Sequence, residues 1–306
     1  MIGPYETPQA FCNALEARLR NAAQERGIDL QRLQRQVAFE RLLARLFVGD
    51  ERPWLLKGGY ALELRLPGQA RSTLDLDLSV HDPERMLVRT VSEKDLTPEQ
   101  AVYEGLQRVA SGDLNDGFEF VVGQPKVERT GAPGGGMRCS VEARLAGRPF
   151  VRFHLDLGLG DAVVAKPDWL DGSGFLAFAG IPAARIALYP VDQQFAEKVH
   201  AYTFPWQDRD NTRVKDLVDL VLLLHSEQLK PERVMEALRA TFETRGTHRV
   251  PPQLPAPPIE WTESYSALAE ELGLPALTLQ EARTYLDVYW QKWGLGQAGD
   301  PEHQRR

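Results

Sequence analysis

Two aspartates one residue apart, Asp75 and Asp77, stand in the run Leu74-Asp75-Leu76-Asp77-Leu78. Side chains alternate faces along a strand, so both carboxylates project from one face while the three leucines pack on the other. Carboxylates that close repel one another unless something positive sits between them. A divalent cation with oxygen ligands, most naturally magnesium, meets that demand. A plain solvent-facing strand that happens to carry two acids is the other reading of the same pattern. Upstream, Gly58-Gly59 separates the apolar run Trp54-Leu55-Leu56 from a short helix at Tyr60 to Leu66. At such a junction, exposed backbone N–H groups and the helix dipole can hold a phosphate, and residues without Cβ let a triphosphate approach the backbone. Downstream, Phe153-His154-Leu155-Asp156-Leu157 alternates in the same way and sets Asp156 beside the pair if the two strands are neighbours. His154 shares that face and reads as a structural hydrogen-bonding group.

A glycine pair, Asp-x-Asp and one further acid on a strand form the layout of the polymerase-β-type nucleotidyltransferases. The likeness becomes specific in four blocks. Lys57-Gly58-Gly59-Tyr60-Ala61-Leu62 resembles the pattern K-G-G-x-A-L, and Arg71-Ser72-Thr73-Leu74-Asp75-Leu76-Asp77-Leu78 resembles R-x-T-x-D-[ILV]-D-[ILV]. Ala196-Glu197-Lys198-Val199-His200-Ala201 is similar to A-E-K-[LV]-H-A, and Arg213 to Leu220 to R-x-K-D-[FLY]-x-D-L. These are the motifs of the AbiEii/MenT family of nucleotidyltransferase toxins, in the family's order, with a likeness spanning roughly residues 10–225.

The resemblance implies a fold, a reaction and a set of roles. The fold is α/β, a polymerase-β-like nucleotidyltransferase core with a mixed sheet, N-terminal helices and a helical C-terminal module. The site is expected in the cleft between core and module. The reaction is transfer of a nucleotidyl group from an NTP to an acceptor hydroxyl, dependent on Mg2+ or Mn2+. Metal falls to Asp75, Asp77 and Asp156, the last as third ligand or as base for the attacking hydroxyl. The nucleotide falls to Lys57, Gly58, Gly59, Arg71, Thr73 and Lys198, with Asp216 as a further active-site acid. The implied partners are NTP, a tRNA 3′ end or another RNA, and a cognate antitoxin. A nucleotidyl- or phosphotransferase acting on a protein or small molecule is the alternative, as is a non-catalytic nucleotide-binding protein.

The residues alone leave some of these roles open. Lys198 points away from the apolar stripe Phe195, Val199 and Tyr202, which also suits a surface ion pair with Glu197 or Asp192. Asp216 and Asp219 share one helix face, where Arg213 and Lys215 are close enough in sequence to pair with them. Tyr285, Tyr289 and Trp293 form a stripe at helical spacing that reads as core packing.

Around these residues the chain supplies two modules. Residues 1–185 read as an α/β domain opened by helices over 8–49, with strands at 54–56, 74–80, 118–122, 137–146 and 149–157. Gly131 to Gly136 reads as a flexible hairpin loop. Residues 186–296 read as helices at 191–203, 213–226, 230–244, 261–272 and 278–293, with the Pro-rich stretch 251–258 an extended connector, and 297–306 as a frayed tail. The chain of 306 residues carries a formal charge of −7, which argues against gripping nucleic acid by bulk charge. Its first 72 residues nevertheless hold eleven Lys/Arg against eight Asp/Glu, so Arg18, Arg32, Arg35, Arg41 and Arg45 form either a solvated face or a platform for a polyanion. No secretory signal or membrane span is legible, and two cysteines cannot build a disulfide framework, which suggests a reducing cytoplasm.

Overall fold

A computed structural model describes residues 2–48, 53–80, 96–128, 133–206 and 211–299. The tail from 300 onward and Gly131-Ala132 of the glycine-rich stretch lie outside the described residues. The chain forms two compact units, one of residues 1–65, 72–160 and 169–188, the other of 66–71, 161–168 and 189–306.

The first unit is built on a mixed sheet. Its strands are β1 (Trp54–Lys57), β2 (Asp75–Val80), β3 (Phe118–Val122), β4 (Lys126–Glu128), β5 (Gly136–Leu145), β6 (Arg148–Leu159), β7 (Asp168–Asp171) and β8 (Arg185–Leu188). They lie in the order β3-β5-β6-β2-β1-β8-β7, with β4 paired to β5 off that path. The chemistry-bearing strand β2 is central: antiparallel to β1 and parallel to β6. Strand β5 alternates buried and more exposed positions over its length and β6 does so from Phe153 onward, as one face packs and the other meets water. Leu74 departs from the expected strand. It precedes β2 and is 63% exposed, whereas Leu76 and Leu78 are fully buried.

Two long helices cover one side, α1 (Pro8–Arg26) and α2 (Leu30–Leu46). Thr7 and Asp29 cap them by accepting from the amides of Ala10 and Arg32, and Gly27 ends α1 in the left-handed region at φ +63°. A short helix α3 (Gly58–Arg65) follows β1 without a break, and α4 (Pro98–Ala110) lies against α2 and β3. Phe39 on α2 joins sheet and helices through edge-on contacts with Phe153 at 4.8 Å and Tyr60 at 5.0 Å.

Two arginines of α2 are not on a solvated face. Arg41 and Arg45 are buried and converge on the fully buried Asp116, which lies in the turn before β3. Burial pushes the Asp116 carboxyl up, but the two guanidinium groups more than reverse that and hold it below the usual carboxylate range. Arg45 also donates to the carbonyl oxygens of Gly112 and Phe118, so this cluster fastens α2 to the β3 edge. Arg18 lies over the Phe178 ring. The polyanion platform therefore loses Arg41 and Arg45 to interior packing, because their partner stands more than seventy residues downstream.

The second unit is helical: α5 (Val191–Thr203), α6 (Val214–His225), α7 (Pro231–Arg245), α8 (Thr262–Leu272) and α9 (Leu279–Lys292). The apolar Leu217 to Leu224 run makes α6 the buried centre of this bundle. The Pro-rich stretch is extended and pinned: Pro255 accepts from the Tyr202 hydroxyl at 2.8 Å and Pro252 from the Trp290 indole at 3.3 Å. Tyr285, Tyr289 and Trp293 stand in a half-buried ladder with centroids about 5 Å apart. Among the described residues, no helix is long and apolar enough to cross a membrane.

Candidate active site

The first unit brings Asp75, Asp77 and Asp156 onto one face of two adjacent strands. In the parallel β2–β6 register Asp77 stands opposite Asp156 and Asp75 opposite His154. The antiparallel β1–β2 register sets Lys57 opposite Asp77. That juxtaposition was legible because alternation fixes the face, and only the adjacency of the strands had to be supplied by the fold.

Gly58 and Gly59 begin α3 hard against these residues. Gly58 has φ +69°, and a Cβ placed there would lie 2.0 Å from Oδ2 of Asp77. A Cβ on Gly59 would come within 2.8 Å of the Thr73 side chain. The glycine pair thus lets the first turn of the helix descend onto Asp77 and onto the loop that enters β2. Thr73 is held from both sides. Its amide donates to Glu63 at 2.9 Å, and its hydroxyl donates to the Asp75 carbonyl at 3.2 Å. Glu63, buried on α3, also accepts from Gln36 at 2.6 Å, so it anchors the entry to β2.

A residue absent from the sequence reading, Arg138, sits among the acids. It lies on β5 opposite Asp156 and grips that carboxylate with two nitrogens, at 2.7 and 2.6 Å. Its Nη2 also approaches Asp75 at 3.4 Å. His154 Nδ1 stands 3.5 Å from the other oxygen of Asp75. Among the described residues no group of three His, Cys, Asp or Glu side chains is arranged to hold a metal ion, and Asp156 is turned onto a guanidinium. Asp75 and Asp77 nevertheless present the paired hard oxygen donors that suit a divalent cation.

The second unit brings together Arg71, Lys198, Asp216 and Asp219. Lys198 on α5 is not paired with Glu197 or Asp192. Its ammonium donates to Asp216 at 2.8 Å and to Asp219 at 2.7 Å, both on α6. Glu197 instead takes Arg245, and Asp192 accepts from the Lys230 amide. Arg71 grips Asp219 with two nitrogens, at 3.0 and 2.9 Å. Burial pulls the Lys198 pKa down, yet the two aspartates outweigh it and hold the ammonium above the ordinary lysine range. Burial raises Asp219, and Lys198 with Arg71 more than reverse that. Asp219 is fully buried and binds two cations; Asp216 is also approached by Arg213 at 3.6 Å. Asp219 is therefore not the partner of Lys215 that local spacing suggests.

His200, on the same helix as Lys198, turns into the bundle against Phe242, with its Nε2 2.8 Å from the Thr247 hydroxyl. It is a core residue.

Comparison with known proteins bears on the fold and the class of activity. Residues 41–287 match the family described as "Nucleotidyl transferase AbiEii toxin, Type IV TA system". Among solved structures, MenT4, a nucleotidyltransferase toxin from Mycobacterium tuberculosis H37Rv, is similar over 95% of each chain with a TM-score of 0.58 at 18% identity. No curated protein sequence matches. The structural likeness speaks for the α/β fold, and the family match, which spans four of every five residues, for the class of activity. Its members are toxins paired with antitoxins and use NTP as substrate. The chain belongs to the AbiEii family of nucleotidyltransferase toxins.

Proposed function

We propose that this toxin transfers a nucleotidyl group from an NTP to a hydroxyl at the 3′ end of an RNA, a tRNA by preference, with loss of pyrophosphate. The observation that carries the reading is the packing of Gly58 onto Asp77, with Asp75 on the same face and Asp156 opposite. That arrangement sets a helix N-terminus, suited to phosphate, against a pair of carboxylates suited to a divalent cation.

Asp75 and Asp77 would hold Mg2+ or Mn2+, which when bound neutralises charge on the phosphate oxygens and orients the leaving group. Gly58 and Gly59 would bring the first turn of α3 to the phosphates, with Lys57 and Thr73 beside it as further nucleotide contacts. Lys198 spends two of its three ammonium donors on Asp216 and Asp219, which leaves one for a phosphate oxygen. Arg71, gripped by Asp219, is the second cation proposed for the nucleotide. Asp156, once Arg138 lets go, would join Asp75 and Asp77 as a third metal ligand or take the proton of the attacking hydroxyl. The cytoplasm, where NTPs and tRNA meet, is the proposed place of action.

The test is incubation of the purified protein with α-labelled NTPs and total RNA. Label at RNA 3′ ends supports the reading. Label confined to protein or to a small molecule would replace it with the other transferase reading, and no label anywhere would favour a non-catalytic nucleotide binder.

A further inference from the structure

Arg138 stands where the acid set would otherwise have to face itself. Three carboxylates on one face of two strands, unneutralised, raise each other's energy. Arg138 relieves that by gripping Asp156 with two nitrogens and leaning on Asp75. The β5–β6 register makes this placement obligatory, since Arg138 is the direct cross-strand partner of Asp156. The side chains involved are between 30 and 38% exposed, so the latch is within reach of solvent and can open without unfolding the strand.

We propose that Arg138 is a positioning residue that keeps Asp156 out of the metal-binding set until it is displaced. This rests on the reading of Asp75 and Asp77 as the metal-holding pair. With the guanidinium in place, a divalent cation meets one carboxylate that is occupied and a second that is partly screened, and a positive charge close by. Entry of the cation to all three acids requires the guanidinium to leave, and its charge is then available to an incoming phosphate. The latch thus disfavours metal without nucleotide, because nothing then receives the displaced arginine.

The experiment titrates the metal-free full-length protein with MnCl2 by calorimetry, in the absence of nucleotide. Arg138→Met keeps the length of the stem and removes the charge. It should bind Mn2+ about tenfold more tightly than the parent, equivalent to about 1.4 kcal/mol. Arg138→Lys keeps a charge without the fork, and its affinity should fall between the two. Adding Asp156→Asn to Arg138→Met should return the affinity to the parent's, because the gain comes from Asp156. The rise in thermal midpoint on adding Mn2+ should follow the same order, which a purely structural salt bridge would not produce. Unchanged or weaker binding in Arg138→Met overturns the latch, as does a gain that survives Asp156→Asn. Asp77→Asn separates the two layers. If it binds Mn2+ as the parent does, the metal-pair reading itself fails; if it loses binding while Arg138→Met gains nothing, the latch alone fails.

Discussion

Replacing Gly58 by alanine perturbs one methyl group and two physical quantities at once. The backbone there lies at φ +69°, a region that costs an L-residue about 1–2 kcal/mol. The new Cβ would also lie 2.0 Å from Oδ2 of Asp77, 2.6 Å from its Cγ and 2.8 Å from its Cβ. The carboxylate must retreat until that closest contact reaches at least 3.4 Å, the ordinary limit, or the first turn of α3 must lift. Either movement exceeds 1 Å at the pair that would hold the cation, and misplacement of that size costs catalysis about 100-fold. Gly147, in the β5–β6 turn, separates strain from collision: its φ is +74° and a Cβ there meets nothing within 4 Å. Both variants should unfold at a lower temperature, Gly58→Ala by the larger margin because the collision adds to the strain, and only Gly58→Ala should lose activity. Thermal denaturation and pyrophosphate release from NTP in the presence of total RNA read the two effects separately. A Gly58→Ala protein within threefold of the parent's rate would refute the claim that the glycine exists to seat Asp77.

Two further outcomes follow from buried charge. Asp116→Asn leaves Arg41 and Arg45 inside the first unit without their counter-ion, and should cost about 3–5 kcal/mol in urea unfolding; a loss below 1 kcal/mol would mean that the cluster is hydrated. Burial, with Arg245 and His248 nearby, lowers the His200 pKa to about 3. As pH falls below 6.5 the unfolded chain therefore takes up a proton that the folded one refuses, and this residue alone should remove about 1.4 kcal/mol of stability per pH unit between pH 6 and 4. Unfolding free energies measured across that range for the parent and His200→Gln should differ in slope by one proton, and equal slopes would contradict the burial of a neutral imidazole.

How far the sequence reached depended on how local each feature is. Strand β2, the glycine pair and the helices of the second unit follow from periodicity and turn residues within a dozen positions, and the reading placed them within a residue or two. Leu74 failed because alternation alone does not say where a strand begins. Charged partners failed more often. Glu197 sits next to Lys198 in sequence, but the helix points them at different neighbours, so Lys198 meets α6 and Glu197 meets Arg245. Arg41 and Arg45 looked solvated because Asp116 is brought to them only by the packing of α2 on the sheet. Arg138 was invisible for a related reason. It occupies an ordinary alternating position on β5, and only the hairpin register reveals that it faces Asp156.

The central claim is nucleotidyl transfer that depends on the Asp75–Asp77 pair. The most direct measurement compares α-labelled with γ-labelled NTP, incubated with total RNA and either the parent or Asp77→Asn, a variant that keeps the side chain's shape. The account predicts α-label on RNA 3′ ends, γ-label only in released pyrophosphate, and both signals lost by at least about 100-fold in Asp77→Asn. Transfer of γ-label to the acceptor, or α-label on RNA at an undiminished rate in Asp77→Asn, would contradict it.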